Sequence, residues 1–494
     1  MKKIISAVGI LGAFVLLFSV CGFAQFEEDA LRLSFSGLSV GARSLGMGMA
    51  YTGVANDFSA VYWNPAGLGQ LHMNEVTAGL SHLSYGNTGT LGATSFDGRT
   101  TQFGSGQSYT NSGTSLNSLG FVYSVPTERG SFVVALGYGR QSEFTTGLSF
   151  KGFNPRSSII QSWAPDGGAT DQAPSGNLAY ELYLANVDSI SPTDFRWDSR
   201  IIDSVTQSGK VLEGGGLNNI SGAVAFEVAP DFFLGATLNI LTGSYSYRRN
   251  YYEDDVNHIH EIIPFDFSSL SLLETVESDL SGFSAKLGAL YKFGQNSRVG
   301  VTIKTPSWIT VREDYLTSAS STFDNGDVLP VGGPYTSAGH DEYDVATPYV
   351  FSAGLSYGIQ KLMLAGDIEY TDWTEMEFRN TNSDRLLTLN TKIKDEFQST
   401  ANLRVGAEYE AVEGLMQVRG GFAYMPSPYV GDPSSYARKY VTAGVGFIAA
   451  NTIAIDLGYA HGFWQNYRVN YDASSRTDED VSTDNLIGTV SFRF

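Results

Sequence analysis

Five charged residues have the chemical types and the spacing that acid–base chemistry uses. They are three carboxylates and two guanidinium groups, at Asp367, Glu369, Arg404, Glu408 and Arg419. A carboxylate beside a positive charge can act as a general base or as an electrostatic stabiliser. Opposite charges on neighbouring strands also form structural ion pairs, and we favour that interpretation. We therefore predict a charge ladder without catalytic residues, in a protein that is not an enzyme.

Two histidines are the remaining candidates for site chemistry. His258 and His260 lie two positions apart, as two metal ligands on one strand face can. A third ligand is not evident, so we interpret them as ordinary polar loop residues and expect neither a metal nor a cofactor. The sequence also contains no phosphate-binding loop, zinc motif or nucleophile elbow.

The charged residues lie in segments that alternate between apolar and polar positions. Leu403 and Val405 flank Arg404, for example, and Val418 precedes Arg419. A period of two predicts strands with one apolar face. About fourteen strands are predicted, near residues 75–85, 115–125, 131–149, 216–228, 232–248, 279–293, 298–312, 342–357, 361–378, 392–410, 415–425, 438–449, 452–470 and 485–494.

The connections between these strands alternate between tight and long. Turns such as 294–297 and 411–414 alternate with loops such as 86–114 and 150–215. Transmembrane barrels have short turns at one end and longer loops at the other. Arginine or lysine facing lipid costs roughly 2–4 kcal/mol at mid-bilayer, so the charges must face the lumen. We predict an all-β, membrane-spanning antiparallel β-barrel of about fourteen strands.

The two ends of the chain fit this prediction. Residues 485–494 alternate and end on Phe494, which resembles the last strand of bacterial outer-membrane barrels. The resemblance implies that Phe494 helps the barrel assembly machinery to recognise the chain. At the other end, basic residues, an apolar run over 4–20 and small residues at 22–24 predict a signal peptide, 1–24, cleaved after Ala24. An N-terminal membrane helix is less favoured, because polar sequence follows at once.

Composition narrows the remaining classes of function. The only cysteine, Cys21, falls in the predicted signal peptide, so we expect a mature chain without disulfides or thiolate sites. The net charge of −20 argues against nucleic acid as a partner, because a phosphate backbone would be repelled. After residue 25 no apolar run approaches the roughly 18 residues that a membrane-spanning helix needs.

Residues 25–72 are rich in glycine and other small residues, which pack into a confined space rather than span a bilayer. They include Gly-Met-Gly at 46–48, Ala-Asn-Asp-x-Ser-Ala at 55–60 and Asn-Pro-Ala at 64–66. Further motifs lie at 347–348, 367–373, 418–428, 444–447 and 456–460. In this order the motifs resemble the FadL/TodX family of outer-membrane transporters for hydrophobic compounds.

The resemblance implies a barrel, 73–494, closed by an N-terminal hatch, 25–72, within its lumen. It also implies passive uptake of a hydrophobic small molecule, such as a long-chain fatty acid or hydrocarbon. The ligand would be captured at the outer face and would leave through a lateral opening in the wall. The hatch residues expected to control passage are Gly46, Gly48, Asn64, Pro65 and Ala66. We expect a monomer whose partners are this ligand and outer-membrane lipid.

Two questions stay open at this point. Similar barrels act as shuttles or scaffolds for protein cargo in type IX secretion, where a run like the one at 41–48 also occurs. Protein cargo is therefore the alternative to a small-molecule ligand. Apolar loop residues can either capture a ligand or pack the loops together; they are Ile259, Ile262, Ile263, Phe265, Phe267, Leu270, Leu272 and Leu273.

Overall fold

The structure is a computed structural model. It describes residues 27–94, 100–170, 174–262, 265–294, 296–381, 383–450 and 452–494. The predicted signal peptide, 1–24, and its cleavage site lie outside these residues. Within them the chain forms six α-helices, three short 3₁₀ helices and 24 strands.

The helices are short. They are α1 (Glu27–Ser34), α2 (Ala42–Gly46), α3 (Ala60–Trp63), α4 (Ile160–Trp163), α5 (Leu178–Glu181) and α6 (Asp384–Glu396), with 3₁₀ helices at Pro65–Gln70, Trp373–Glu375 and Ser434–Tyr436. Among the described residues, no helix combines the length and the apolar character needed to cross a membrane.

The strands account for most of the described chain. They are β1 (Glu75–Thr94), β2 (Thr100–Gln102), β3 (Gln107–Val125), β4 (Phe132–Glu143), β5 (Thr146–Asn154), β6 (Ala169–Thr170), β7 (Asn186–Ser191), β8 (Asp194–Asp198), β9 (Val205–Ala229), β10 (Phe232–Asp254), β11 (Glu261–Ile262), β12 (Phe265–Phe293), β13 (Ser297–Lys304), β14 (Trp308–Phe323), β15 (Val328–Leu329), β16 (Tyr335–Ala346), β17 (Val350–Ile359), β18 (Leu362–Asp372), β19 (Glu377–Arg379), β20 (Ser399–Val412), β21 (Met416–Met425), β22 (Arg438–Ala449), β23 (Ile453–Val469) and β24 (Arg476–Arg493).

Fourteen wall strands follow one another in antiparallel order. They are β1, β3, β4 with β5, β9, β10, β12, β13 with β14, β16 with β17, β18 with β19, and then β20 to β24. The last strand pairs with the first from Glu75↔Arg493 to Gly92↔Arg476, so the sheet closes on itself. Closure leaves no free sheet edge in lipid. The predicted antiparallel barrel of fourteen strands is confirmed.

The outward face of the wall carries a belt of apolar side chains. Leu80, Leu136, Leu238 and Phe283 are each more than half exposed. Beyond Ile240, the outward positions of β10 hold threonine, serine and arginine instead. An exposed apolar band bounded by polar residues is the surface that a transmembrane barrel presents to lipid.

Residues 27–72 lie inside the barrel, and we call them the plug. Helix α2 contacts β22, β23 and β24, whereas the 3₁₀ helix Pro65–Gln70 contacts β9, β10 and β12 across the barrel. Only a segment within the lumen can contact both sides of the wall. The side chains of Met47, Tyr51 and Leu68 in the plug are fully buried.

The carboxylate of Glu75 ties the closing seam of the barrel to the plug. This residue begins β1 and is 1% exposed. Its Oε2 accepts a hydrogen bond from Arg493 Nε at 2.9 Å. Its Oε1 accepts a hydrogen bond from the backbone N–H of Phe58 in the plug at 3.0 Å. Asn74 and Phe494 add two backbone hydrogen bonds, of 3.0 and 3.1 Å, at the end of the seam.

The strands extend farther outward than the sequence pattern predicts. Strand β1 runs to Thr94 and β3 begins at Gln107, so most of the predicted loop 86–114 is strand. Serine, threonine and glycine occupy the outward positions there, whereas the inward ones mix Asn87, Gly89 and Asn111 with the buried Leu91. Without one continuous apolar face, the contrast that reveals a strand is weak.

The predicted strand 392–410 is wrong at its beginning. Its first residues belong to helix α6, and β20 starts only at Ser399. The buried residues of α6 recur at helical spacing: Leu386, Leu389 and Ile393. A spacing of three and four residues places side chains on one face of a helix, which the period-two analysis did not separate from a strand.

Removal of Phe494 should reduce the amount of folded barrel in the membrane. The deletion removes both backbone hydrogen bonds to Asn74 at the seam, and with them the last inter-strand contact. The measurement is the fraction of heat-modifiable protein in isolated outer membranes, at equal total synthesis. Phe494→Tyr is the matched control, because it keeps the backbone and an aromatic ring. Equal folded fractions for the deletion and the parent would contradict the prediction.

Candidate functional site

Two glycines of the plug lie where the wall leaves no room for a side chain. A Cβ added at Gly48 would lie 2.4 Å from the carbonyl oxygen of Val405, and the φ angle of Gly48 is +63°. A Cβ added at Gly46 would lie 3.0 Å from the Cα of Gly444. Glycine alone combines this backbone conformation with so close an approach. The plug backbone therefore lies directly against β20 to β22.

Asn64 holds the 3₁₀ helix of the plug against the opposite wall. Its Nδ2 donates to the carbonyl oxygens of Thr52 at 2.9 Å and Ala289 at 3.2 Å. Its Oδ1 accepts the N–H of Ala66 at 3.1 Å, and the side chain is fully buried. Pro65 begins the 3₁₀ helix, where its fixed φ fits and its missing N–H costs nothing. This corner joins two parts of the plug to β12.

Asp367 faces the plug backbone. It lies opposite Arg404 in the register of β18 and β20. Its Oδ2 accepts the N–H groups of Tyr51 at 2.8 Å and Thr52 at 2.7 Å. Charge-assisted hydrogen bonds of this kind are stronger than neutral ones. Asp367 thus anchors the plug to the wall.

Glu369 and Arg404 form a two-point ion pair between β18 and β20. The guanidinium donates to Glu369 at 2.7 and 3.2 Å. Asn402 Nδ2 adds a hydrogen bond of 3.0 Å to the same carboxylate. The guanidinium carbon also lies 5.6 Å from the ring centroid of Trp63 in the plug, within range of a cation–π contact.

Glu408 and Arg419 belong to a chain of charges that starts in the plug. Arg43 of the plug donates two hydrogen bonds of 2.8 Å to Glu408. Arg419 donates to Glu408 at 2.6 Å and to Asp456 on β23 at 2.5 Å. The structure therefore brings together the charged residues singled out in the sequence, but it connects them to the plug as well as to one another.

Sequence reasoning missed Arg43 and Asp456. Arg43 lies within the glycine-rich run at 41–48, whose other residues gave no sign of a charged partner. Asp456 lies at an inward-facing position of an alternating strand, so the period-two pattern could have identified it as a lumenal charge. Which lumenal charges meet depends on how the plug crosses the lumen, and no local pattern records that path.

Within the described residues, the strand pairing of the wall is interrupted beside the plug. Strands β3 and β4 pair from Val125↔Phe132 to Ser118↔Gly139, and the pairing between them stops there. We call this interruption the wall break. Side chains bridge it: Asn111 Nδ2 donates to the carbonyl oxygen of Thr146 at 2.9 Å. The plug reaches it too, because Gly37 N–H donates to the carbonyl oxygen of Gln141 at 2.6 Å.

The wall break lies at the outer rim of the apolar belt. Leu80 on β1, Leu116 on β3 and Ile220 on β9 are exposed at this level, and polar residues follow outward of each. On the lumenal side, a small crevice with room for about one water molecule lies between Tyr138 and Gly139 of β4 and the plug. Apolar plug side chains line it: Val40, Phe58 and Val61. Apolar plug residues therefore lie beside the break.

Loop residues fill the outer end of the lumen. Of the apolar residues considered as a capture surface, Phe267, Leu270 and Leu272 are buried in a core with residues of α4 and α5. Ile259, in contrast, is 47% exposed. Ile263 and the side chains of Ile262 and Phe265 lie outside the part of the chain that the structure describes. The buried three pack the loops against one another.

Helix α1 of the plug contacts helix α6 of the outer loops. Leu31 and Leu33 share a core with Leu386 and other residues of α6. Lys392 of α6 forms an ion pair with Glu27 of α1. Desolvation lowers the pKa of Lys392, but the hydrogen bond and charge of Glu27 outweigh it, so that the pKa is raised overall. The plug thus reaches from the seam to the outer cover.

The two histidines do not form a joint metal pair. His260 Nε2 lies 2.9 Å from the carbonyl oxygen of Asp203. His258 Nδ1 lies 3.2 Å from Glu261 Oε1. His258, Glu261 and Asp324 place ligand atoms within 4.8 Å of one another, and all three are exposed. Exposed polar groups of this kind fit the interpretation as loop residues.

Comparison with protein families decides the class of this barrel. The model of the outer membrane protein transport proteins (OMPP1/FadL/TodX) matches residues 216–494, more than half of the chain. The chain belongs to this family. A comparison with curated proteins finds no significant match.

Solved structures of FadL/TodX proteins share the fold. The toluene transporter TodX of P. putida is 14% identical, with a TM-score of 0.53 over 92% of this chain and 99% of that one. A FadL homologue of Pseudomonas aeruginosa is 15% identical, with a TM-score of 0.54 over 93% and 98%. CymD, described as a monoaromatic hydrocarbon channel, is 15% identical, with a TM-score of 0.50 over 92% and 98%. Sequence identities this low show that the fold is shared and carry no further conclusion.

Arg419→Met should destabilise the barrel strongly. The change leaves two lumenal carboxylates, those of Glu408 and Asp456, without a shared partner. Breaking a buried ion pair costs about 3–5 kcal/mol. Arg312→Met is the matched control, because its pair with Glu342 is exposed and worth about 1 kcal/mol or less. Thermal unfolding in detergent, followed by circular dichroism, measures both. Equal losses of stability in the two variants would contradict the prediction.

Proposed function

We propose that this protein is an outer-membrane channel for the passive uptake of hydrophobic small molecules, such as long-chain fatty acids or hydrocarbons. The observation that carries the proposal is the wall break, with apolar side chains of the plug beside it. Membership of the transport family supports it, as do the structural likenesses to a toluene transporter and a hydrocarbon channel.

The proposed route follows from the hydrophobic effect. A ligand that enters from the outer loops reaches the apolar side chains of Phe58 and Val61, where its apolar surface leaves water. Because the wall break lies beside these side chains and at the outer rim of the apolar belt, a short lateral step takes the ligand from protein into lipid. The plug keeps the rest of the lumen closed to polar solutes.

The corner at Asn64, Pro65 and Ala66 is the proposed gate. It carries the buried hydrogen bonds that hold the plug to β12, and their rearrangement would loosen the plug without breaking any strand pairing. Gly46 and Gly48 have the complementary role of keeping the opposite side of the plug seated against the wall.

We also propose roles for the segments of the chain and for its last residue. Residues 1–24 act as a signal peptide, 25–72 as the hatch and 73–494 as the barrel. Phe494 serves recognition by the barrel assembly machinery. The working protein is a monomer in outer-membrane lipid and uses no cofactor.

Locking the wall break should reduce uptake. A Cβ added at Gly113 of β3 would lie 4.0 Å from the Cβ of Thr145, across the break. Disulfides need a Cβ separation of about 3.5–4.5 Å, so Gly113→Cys with Thr145→Cys should form one. We expect uptake of radiolabelled toluene to fall several-fold when this pair is oxidised and to recover after reduction.

Each single cysteine variant is a control, because it carries the substitution without the crosslink. Equal uptake by the oxidised and reduced double variant, with the crosslink verified by mass spectrometry, would remove the wall break from the route. Uptake no greater than in cells lacking the protein, for every hydrophobic compound tried, would favour the shuttle for protein cargo instead.

Loosening the plug should alter uptake while the barrel stays folded. Asn64→Ala with Pro65→Ala removes the buried side-chain hydrogen bonds and the fixed turn, but no wall residue. The test is uptake of labelled long-chain fatty acid or hydrocarbon by cells with equal surface levels of each variant. Asn325→Ala, in an exposed outer turn, is the control. Identical uptake by parent and double variant would exclude a gating role.

A further inference from the structure

Two buried amide side chains beside the wall break have unpaired polar atoms. Gln141 of β4 is 2% exposed, and Asn219 of β9 is 6% exposed. Within the described residues, no group forms a hydrogen bond with Gln141 Nε2 or with Asn219 Oδ1. We call these two side chains the amide pair. A buried donor or acceptor that stays unpaired lowers stability, so the amide pair needs a reason outside the stability of the wall.

Other buried amides near the break find partners in the wall or the plug. Asn117 of β3 donates from Nδ2 to the carbonyl oxygen of Ser39 at 2.9 Å, and its Oδ1 accepts the N–H of Gly41 at 3.0 Å. Asn239 of β10 accepts a hydrogen bond from Ser221 Oγ at 2.6 Å. A general lack of partners therefore does not explain the unpaired atoms of the amide pair.

The amide pair lies where the wall break begins. Gly139 is the last residue of β4 that pairs with β3, and Asn219 lies directly opposite it on β9. Gln141 lies two positions beyond Gly139, at a bulge where the register between β4 and β9 shifts. Diagonal neighbours across two strands lie about 7–8 Å apart, so one small group between the two amides can contact both.

Asn219 lines the small crevice between the wall and the plug. The crevice has room for about one water molecule, and its other walls include Gly139 of β4 and Val40 and Phe58 of the plug. A hydroxyl group is the size of a water molecule, whereas a carboxylate or an aromatic ring is larger. The crevice can therefore receive the hydroxyl group of a ligand while the rest of the ligand stays outside it.

The chemistry of the amide pair also matches a hydroxyl group. Gln141 Nε2 is a donor and Asn219 Oδ1 is an acceptor, and a hydroxyl group can accept from the first and donate to the second. An ionised carboxylate only accepts, so it would leave Asn219 Oδ1 unpaired. A hydrocarbon would leave both atoms unpaired. A neutral ligand with one hydroxyl group is therefore the class that satisfies the amide pair.

The opposite face of the wall is apolar at this level. Ile220 follows Asn219 on β9 and is 53% exposed, and Leu116 of β3 is 39% exposed. Successive side chains of a strand point to opposite faces, so the lumenal amide and the lipid-facing Ile220 are neighbours across the wall. A ligand in the wall break can thus place its hydroxyl group at the amide pair and its hydrocarbon chain toward the apolar belt.

We propose that the amide pair is a recognition site for the hydroxyl group of hydrophobic ligands, such as long-chain alcohols, at the wall break. Gln141 donates to the hydroxyl oxygen, and the hydroxyl group donates to Asn219. One water molecule takes this place when no ligand is bound. This inference rests on the proposed function as an uptake channel and adds a preference for hydroxylated ligands over hydrocarbons of the same length.

The preference can be measured without transport. Equilibrium dialysis gives the amounts of radiolabelled octan-1-ol and of octane that the protein binds in lipid nanodiscs, with empty nanodiscs as the blank. In the parent we expect the ratio of bound alcohol to bound hydrocarbon to be about tenfold higher than in Gln141→Met with Asn219→Leu, because the double variant lacks both hydrogen bonds. The same ratio in the parent and the double variant would overturn the proposal.

Substitution of the amide pair should leave the barrel folded, because it removes polar atoms that have no partner. Heat modifiability in gels checks this. Asn219→Leu alone is the second variant and should lower the ratio about threefold, since it removes one of the two hydrogen bonds. Asn325→Leu, in an exposed outer turn, is the matched control and should keep the ratio of the parent. An unchanged ratio in Asn219→Leu would contradict its role in binding the hydroxyl group.

Uptake by cells separates this inference from the proposed function. The double variant should take up several-fold less octan-1-ol than the parent but as much octane, whereas the oxidised Gly113→Cys, Thr145→Cys crosslink should lower the uptake of both. Equal losses of the two compounds in the double variant would refute selection by the hydroxyl group. Failure of the parent to take up either compound would refute the uptake function, and the dialysis would still decide whether the amide pair binds a hydroxyl group.

Discussion

The backbone of a wall in lipid must find every hydrogen bond within the protein, and this constraint underlies the rest of the structure. The pairing of β24 with β1 over the full length of the seam meets it. Once the sheet is closed, its inner face becomes a confined space that the chain has to fill. The plug fills it, and glycines on both surfaces, such as Gly48 and Gly406, let two backbones approach without side chains between them.

The same closure explains why charges can be kept in the interior. An inward-facing arginine is shielded from lipid by the wall. The free-energy cost of burying its charge then depends on its hydrogen-bond and ion-pair partners. Arg419 has two carboxylates and Arg404 has one, so these groups stabilise the contact between wall and plug. On the hairpin of β12 and β13, Lys286 and Arg298 instead donate hydrogen bonds to carbonyl oxygens of the plug, those of Tyr62 and Val54. Both sides of the lumen thus hold the plug, one through ion pairs and the other through hydrogen bonds to its backbone.

The sequence reveals the parts of this molecule in which one face differs from the other. Leu403 and Val405 around Arg404 indicated correctly that the charge points inward, the period-two segments predicted the number of wall strands, and the alternation of tight and long connections indicated a transmembrane barrel. The outer half of β1 was missed because its outward face is polar and its inward face is only partly apolar, and α6 was partly taken for strand. The pairing of Arg43 with Glu408 and the wall break lie beyond such reasoning, since both depend on where distant segments meet inside a closed lumen.

Glu75 has a thermodynamic consequence that extends beyond the seam. One carboxylate accepts hydrogen bonds from Arg493 of the final strand and from the backbone of Phe58 in the plug. When Arg493 binds the Glu75 carboxylate, the carboxylate is held in position to accept the N–H of Phe58. When Phe58 binds it, the carboxylate is held in position to accept the hydrogen bond from Arg493. By reciprocity, each event strengthens the other by the same coupling free energy. Barrel closure and lumen filling are thus thermodynamically coupled through this one carboxylate.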